Sequence, residues 1–110
     1  MINVEIYRDK DNNITKFIIE GHSGYDKIGK DIVCAAVSSV SQMTVLGLSE
    51  VLHIPIGFEM QEAYLECILP DYLDESVRER VNILLDSMML FLKEFQRQYT
   101  KYVRICEVEV

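Results

Sequence analysis

Ile2-Asn3-Val4-Glu5-Ile6-Tyr7, then Asp9-Lys10-Asp11-Asn12-Asn13, then Ile14-Thr15-Lys16-Phe17-Ile18-Ile19-Glu20 is the stretch that decides the fold. In its first part apolar and polar residues alternate, which is the period of a half-buried strand. The five residues in the middle are turn formers and leave room only for a hairpin connection to a second strand over 14–20. A hairpin with one buried face needs a helical layer to cover it, and two helices can be read further along. Asp31 is suited to cap a helix running to about Leu52, where His53-Ile54-Pro55 ends it. Val33, Val37, Val40, Thr44, Leu48 and Val51 form one stripe of that helix. Ala35, Ala36, Ser38, Ser39 and Ser41 make its other faces small, and Gly47, which costs about 1 kcal/mol in a helix interior, fits there if another element approaches closely. That element is either a neighbour in the fold or a second subunit.

Residues 56–60 and 64–69 read as a second hairpin around Gln61-Glu62-Ala63. Ser76-x-x-Glu79 has the form of a capping box. After it Val77, Val81, Leu84, Leu85, Met88, Phe91, Leu92, Phe95 and Tyr99 keep the 3.6 period, with Met88, Met89, Phe91 and Phe95 expected in the core. Val103 to Val110 closes the chain as a strand, with Cys106, Val108 and Val110 on one side. The expected order is ββαββαβ: a single α+β domain over 1–110, with two helices packed on one antiparallel or mixed sheet.

Composition narrows the function. The 110 residues carry 11 basic and 18 acidic side chains, a net charge of −7, and 49% hydrophobic residues. A chain of this size buries roughly two-thirds of its unfolded surface, so disorder is excluded and no disulfide staple is needed. With that charge and no basic cluster, nucleic acid and membrane surfaces are poor partners and a basic protein a better one. Residues 32–49 lack charge, but Ser38, Ser39, Ser41, Gln42, Thr44 and Ser49 make them too polar to span lipid. The first residues have neither a basic nor an apolar leader region, so the expected location is cytoplasmic. Cys34, Cys67 and Cys106 are odd in number and widely spaced, without zinc spacing.

Packing explains most of the chain, but residues 21–38 ask for more. If Asp31 is the cap, Cys34 lies in the first helical turn, where unpaired amides and the helix dipole favour a thiolate. His22 follows a strand at the other end of a glycine-bearing loop, which can fold back on Cys34. A cysteine with a histidine in reach is the minimal set for nucleophilic acyl transfer. The bland readings are a small buried cysteine and a loop histidine bonded to backbone. A Cys-x5-Arg phosphatase loop fails because Val40 stands where arginine is needed, and His22, Asp26, Asp31 and Cys34 match no tetrahedral metal pattern. His53 reads as a helix-end cap, and Cys67 and Cys106 as core cysteines.

Gly21-His22-Ser23-Gly24-Tyr25, followed by Gly29-Lys30-Asp31-Ile32-Val33-Cys34-Ala35-Ala36-Val37-Ser38, closely resembles the signature of the bacterial ribosomal-processing cysteine proteases, the Prp family. Ser23 stands where that family often has alanine. The resemblance implies a Cys-His endopeptidase that removes a short N-terminal extension from a large-subunit ribosomal protein near the peptidyl-transferase centre. It implies a homodimer that needs no metal or other cofactor and cuts after an aromatic residue. Cys34 carries over as nucleophile and His22 as general base and acid, while Gly21, Gly29, Asp31 and Ser38 carry over as motif positions. Gly24, Tyr25 and Gly29 belong to the loop expected to close over substrate. For Asp31 two roles stay open: helix cap, or a third member that orients His22. Two other readings compete with the protease: a non-catalytic ribosome-assembly module that binds a basic peptide, and a cytosolic redox sensor using Cys34.

Overall fold

The computed structural model describes residues 1–27 and 30–110. Strands β1 (Ile2–Arg8) and β2 (Ile14–Glu20) form the expected antiparallel hairpin. At its turn the Asp9 carboxylate accepts the amides of Asp11 and Asn13 at 2.9 and 3.0 Å, while Asn12 takes a positive φ of 66°. Helix α1 (Ile32–Leu46) follows and runs into a five-residue π turn, Gly47–Val51. Strands β3 (Gly57–Gln61) and β4 (Tyr64–Ile68), helix α2 (Glu75–Gln98) and strand β5 (Val103–Glu109) complete the order ββαββαβ.

The sheet is mixed, with strand order β3-β4-β2-β1-β5. Every neighbouring pair is antiparallel except β1 and β5, which run parallel, so the first and last strands lie side by side. The register puts Ile2, Val4 and Ile6 beside Phe17 and Ile19, and these beside Leu65 and Cys67, on one face. All seven are buried together with Val33, Val37, Val45 and Leu48 of the first helical segment and Val81, Leu85, Met88 and Leu92 of α2. Alternation thus gives the sheet one apolar face, and both helices lie on it. Gly47 lets them meet, because a Cβ there would stand 2.9 Å from Leu84 Cδ1 of α2.

Several local expectations change. The capping box is not used: α2 begins at Glu75, so Ser76 is already inside it, and Asp74 is the N-cap without a side-chain bond. Val51, the last residue of the stripe, is 72% exposed at the end of the π turn, while Leu48 within that turn stays fully buried. His53 ends the helix through its own backbone, in a left-handed conformation with φ 56°, as Ile54 donates to the Leu48 carbonyl at 2.9 Å. Cys106 pairs with Glu5 and so lies on the sheet face away from the helices, not in the core. Phe91 is exposed at the rim and stacks on Phe95, with ring centroids 5.4 Å apart.

Leu85 is fully buried where α2 meets the sheet. Leu85→Ala should cost about 2–5 kcal/mol, since a closed core relaxes little around the lost volume; urea unfolding measures it.

Candidate active site

The backbone turns sharply where β2 ends. Gly21 has φ +100°, and a Cβ there would come 2.4 Å from the Met1 carbonyl oxygen, so only glycine fits beside β1. The Gly21 amide donates to the Ala63 carbonyl at 2.9 Å, which ties this corner to the tip of the β3–β4 hairpin. The turn carries His22 and Ser23 over the start of α1, and the Met1 ammonium donates to the His22 carbonyl oxygen at 2.5 Å.

At α1 the Asp31 side chain is the N-cap. Its Oδ1 accepts the amides of Val33 and Cys34, each at 3.0 Å, and its Oδ2 accepts the Ser23 hydroxyl. Both carboxylate oxygens are therefore engaged by the helix and by Ser23. Asp31 is 8% exposed, and burial pushes its carboxyl up, but the bonds from Ser23, Cys34 and Val33 outweigh this and hold it below the ordinary value. The Ser23 hydroxyl also accepts the Tyr25 amide at 3.0 Å, and the Ser23 amide donates to Cys34 Sγ at 3.3 Å. A closed circuit results, from sulfur through Ser23 and Asp31 back to the Cys34 amide.

Cys34 and His22 line one cleft of about 280 Å³. Gly21, Gly24, Asp26, Asp31, Ser38 and Ser41 line it on the loop and helix side, and Ile2, Ile19, Val37, Met60 and Leu65 supply apolar walls. Ser38 sits one turn beyond Cys34, and its hydroxyl accepts from Gln42 Nε2 at 2.7 Å. Gly29 lies outside the described residues. Tyr25 is not among the lining residues; its ring packs against Tyr99 and Tyr102. Cys67 lies in the core between the sheet and the helices, where burial pushes its thiol up to about 12, which keeps it protonated and unreactive. Among the described residues no group of three or more His, Cys, Asp or Glu side chains converges on a metal position.

Residues 60–65 enter the cleft because β4 pairs with β2 and brings the hairpin tip beside Gly21. No local pattern signals that placement. Ser23 was readable only as a small residue, although a buried hydroxyl must find partners and Asp31 was near in sequence.

Comparison with known proteins fits this geometry. Residues 1–104 match the family described as cysteine protease Prp. The chain belongs to the Prp family. It is 29% identical over 111 residues to the ribosomal processing cysteine protease Prp of Bacillus subtilis, an alignment covering 96% of each chain. With the Prp of Staphylococcus aureus it shares 24% over 108 residues, covering 96% of this chain and 97% of that one. Among solved structures, an essential S. aureus Prp with a covalently linked product peptide superposes with a TM-score of 0.86 at 21% identity, over 97% of this chain and 99% of that one. SMU.848 from Streptococcus mutans gives 0.82 at 25% identity, over 100% and 96%. The mixed five-stranded sheet under two helices is thus the Prp fold, and a family of cysteine proteases in ribosomal protein processing is the one to which this cleft belongs.

The Asp31 cap sets a pH dependence. A carboxyl held below its usual value takes up fewer protons folded than unfolded, so its contribution is complete above the unfolded value and fades as pH falls through the folded one. Asp31→Asn keeps a capping oxygen but not the charge. In thermal melts Asp31→Asn should be less stable than the natural protein near pH 7, and the gap should close below about pH 4, the carboxylate range.

Proposed function

We propose that this chain is a cysteine endopeptidase that removes a short N-terminal extension from a large-subunit ribosomal protein, with Cys34 as nucleophile and His22 as general base and acid. The observation that carries this reading is the Ser23 amide on the Cys34 sulfur, in the first turn of α1 and in the cleft that His22 also lines. A cysteine that shares a cleft with a histidine has the parts that thiol acyl transfer requires. The S. aureus relative with a covalently linked product peptide supports a peptide as substrate.

The chemistry is acyl transfer. His22 takes the Cys34 proton, Sγ bonds to the scissile carbonyl carbon, and the C–N bond breaks as His22 returns the proton to the leaving amine. Water, deprotonated by His22, then attacks the thioester; the C–S bond breaks, the peptide leaves as a carboxylate and Cys34 is restored. Asp31 acts as the helix cap and holds Ser23, so the reacting set is a dyad. Gly21 forces the turn that presents His22, and Ser38 borders the cleft on the helix side. Gly24, which lines the cleft, belongs to the segment that passes over bound peptide. The apolar walls suit an aromatic side chain next to the cut bond. A net charge of −7 suits a basic ribosomal protein and gives no footing for nucleic acid. The reaction needs no metal or other cofactor, and its place is the cytoplasm. The enzyme works as a homodimer: Ile32, Met43, Leu46 and Val51 leave an apolar strip on the first helix segment between 55% and 72% exposed, which a second copy would cover.

Two measurements test this. On an extended ribosomal-protein peptide, folded Cys34→Ala should give no cleavage, and His22→Ala should lose about 10²–10⁴-fold in rate; turnover by Cys34→Ala would refute the mechanism. Sedimentation at micromolar concentration should give twice the 12.8 kDa chain mass, and a monomer would refute the dimer.

A further inference from the structure

Tyr25 lies two residues from Ser23, yet its ring turns away from the cleft. It meets Tyr102 edge-on at 5.2 Å between centroids, with the planes at 78°, and Tyr99 at 5.8 Å and 83°. Tyr99 in turn lies 4.7 Å from Phe95. Perpendicular contacts of this kind are the ones that aromatic quadrupoles favour. The seat is built from the end of α2 and the turn into β5, elements that supply no lining to the cleft. The backbone of the same residue points the other way, as its amide donates to the Ser23 hydroxyl at 3.0 Å. Gly24 alone separates the two, with φ +77° and no atom within 4 Å of where a Cβ would stand. It links the seated ring to the amide that holds the sulfur, and the Tyr25–Ser23 bond spans it.

The Val33 and Cys34 amides are already taken by Asp31, so among the described residues the Ser23 amide is the donor to the sulfur. Asp31 holds Ser23 from one side. From the other side, among the described residues, the segment beyond Gly24 is anchored by the Tyr25 amide on the Ser23 hydroxyl and by the Tyr25 ring on Tyr99 and Tyr102. We infer that Tyr25 is a positioning residue: seated on Tyr99 and Tyr102, its ring holds the Ser23 amide against Cys34. This rests on the reading of Cys34 as nucleophile and adds to it a support that lies outside the cleft.

The test uses the intact protein and its Tyr25→Ala, Tyr25→Phe, Tyr102→Leu and Tyr25→Ala/Tyr102→Leu forms. Two quantities are read: kcat and KM on the extended peptide, and the iodoacetamide alkylation rate of Cys34 at pH 7 relative to its high-pH plateau, with the site identified by mass spectrometry. Tyr25→Ala should lower kcat by about tenfold or more with little change in KM, within the roughly hundredfold that a displacement of about 1 Å can cost. It should also lower the relative alkylation rate at pH 7. Tyr25→Phe keeps the ring and should restore both. The double variant should be no worse than Tyr25→Ala, since both changes empty the same seat. Natural kcat and alkylation in Tyr25→Ala, a change confined to KM, or additive losses in the double variant would each overturn the inference. If Tyr25→Ala does not fold, Tyr102→Leu, which removes one side of the seat and leaves Tyr25 in place, should lower both kcat and the relative alkylation rate, and natural values of both in it would overturn the inference. If the natural protein cuts no peptide, the proposed function falls, and the alkylation rates still decide the role of Tyr25.

Discussion

One carboxylate joins the two halves of the site. Asp31 starts α1 by accepting the first-turn amides, and with its second oxygen it holds the Ser23 hydroxyl. A helix of 15 residues against the sheet would need a cap in any case. Here the cap is also what fixes the turn carrying His22 and Ser23 above Cys34. The local folding requirement and the placement of the sulfur are met by the same side chain.

How much could be read in the residues depended on how local each cause was. The β1–β2 hairpin, the apolar stripe of α2 and the Asp31 cap follow from neighbours within a few positions, and they were legible. So was the family, through the run from Gly21 to Ser38. Strand order was not, because nothing within β3 or β4 says that β4 lies against β2; the residues of the hairpin tip therefore reached the cleft unannounced. Cys106 went to the open sheet face because its register with Glu5, set by a parallel pairing across the chain, decides its side. The boundary of α2 moved because the helix starts at Glu75, one residue before the serine that would have capped it.

Ser23 shows a subtler limit. As a residue type it passes for a small filler in a glycine-bearing loop. In the fold it is 4% exposed, and its hydroxyl and amide make three bonds, to Asp31, Tyr25 and Cys34. A buried hydroxyl left without partners would be costly, so this position has traded apolar simplicity for a linked set of bonds. Alanine there would leave the amide on sulfur but cut the tie to the helix cap, so the loop would be held by fewer points.

The pairing of β1 with β5 has a consequence for how the molecule comes into being. Arg8 meets Glu107 across 99 positions of chain, and contacts of such separation are slow to form and come late. During synthesis the segment from His22 to Cys34 leaves the ribosome long before Tyr99, Tyr102 and β5 do. The nascent chain thus carries its thiol for most of its elongation without the two tyrosines on which the Tyr25 ring rests. Docking of the final strand beside the first completes the sheet and brings Tyr99 and Tyr102 to Tyr25, so the surroundings of the Cys34 cleft are complete only once the chain can close on itself.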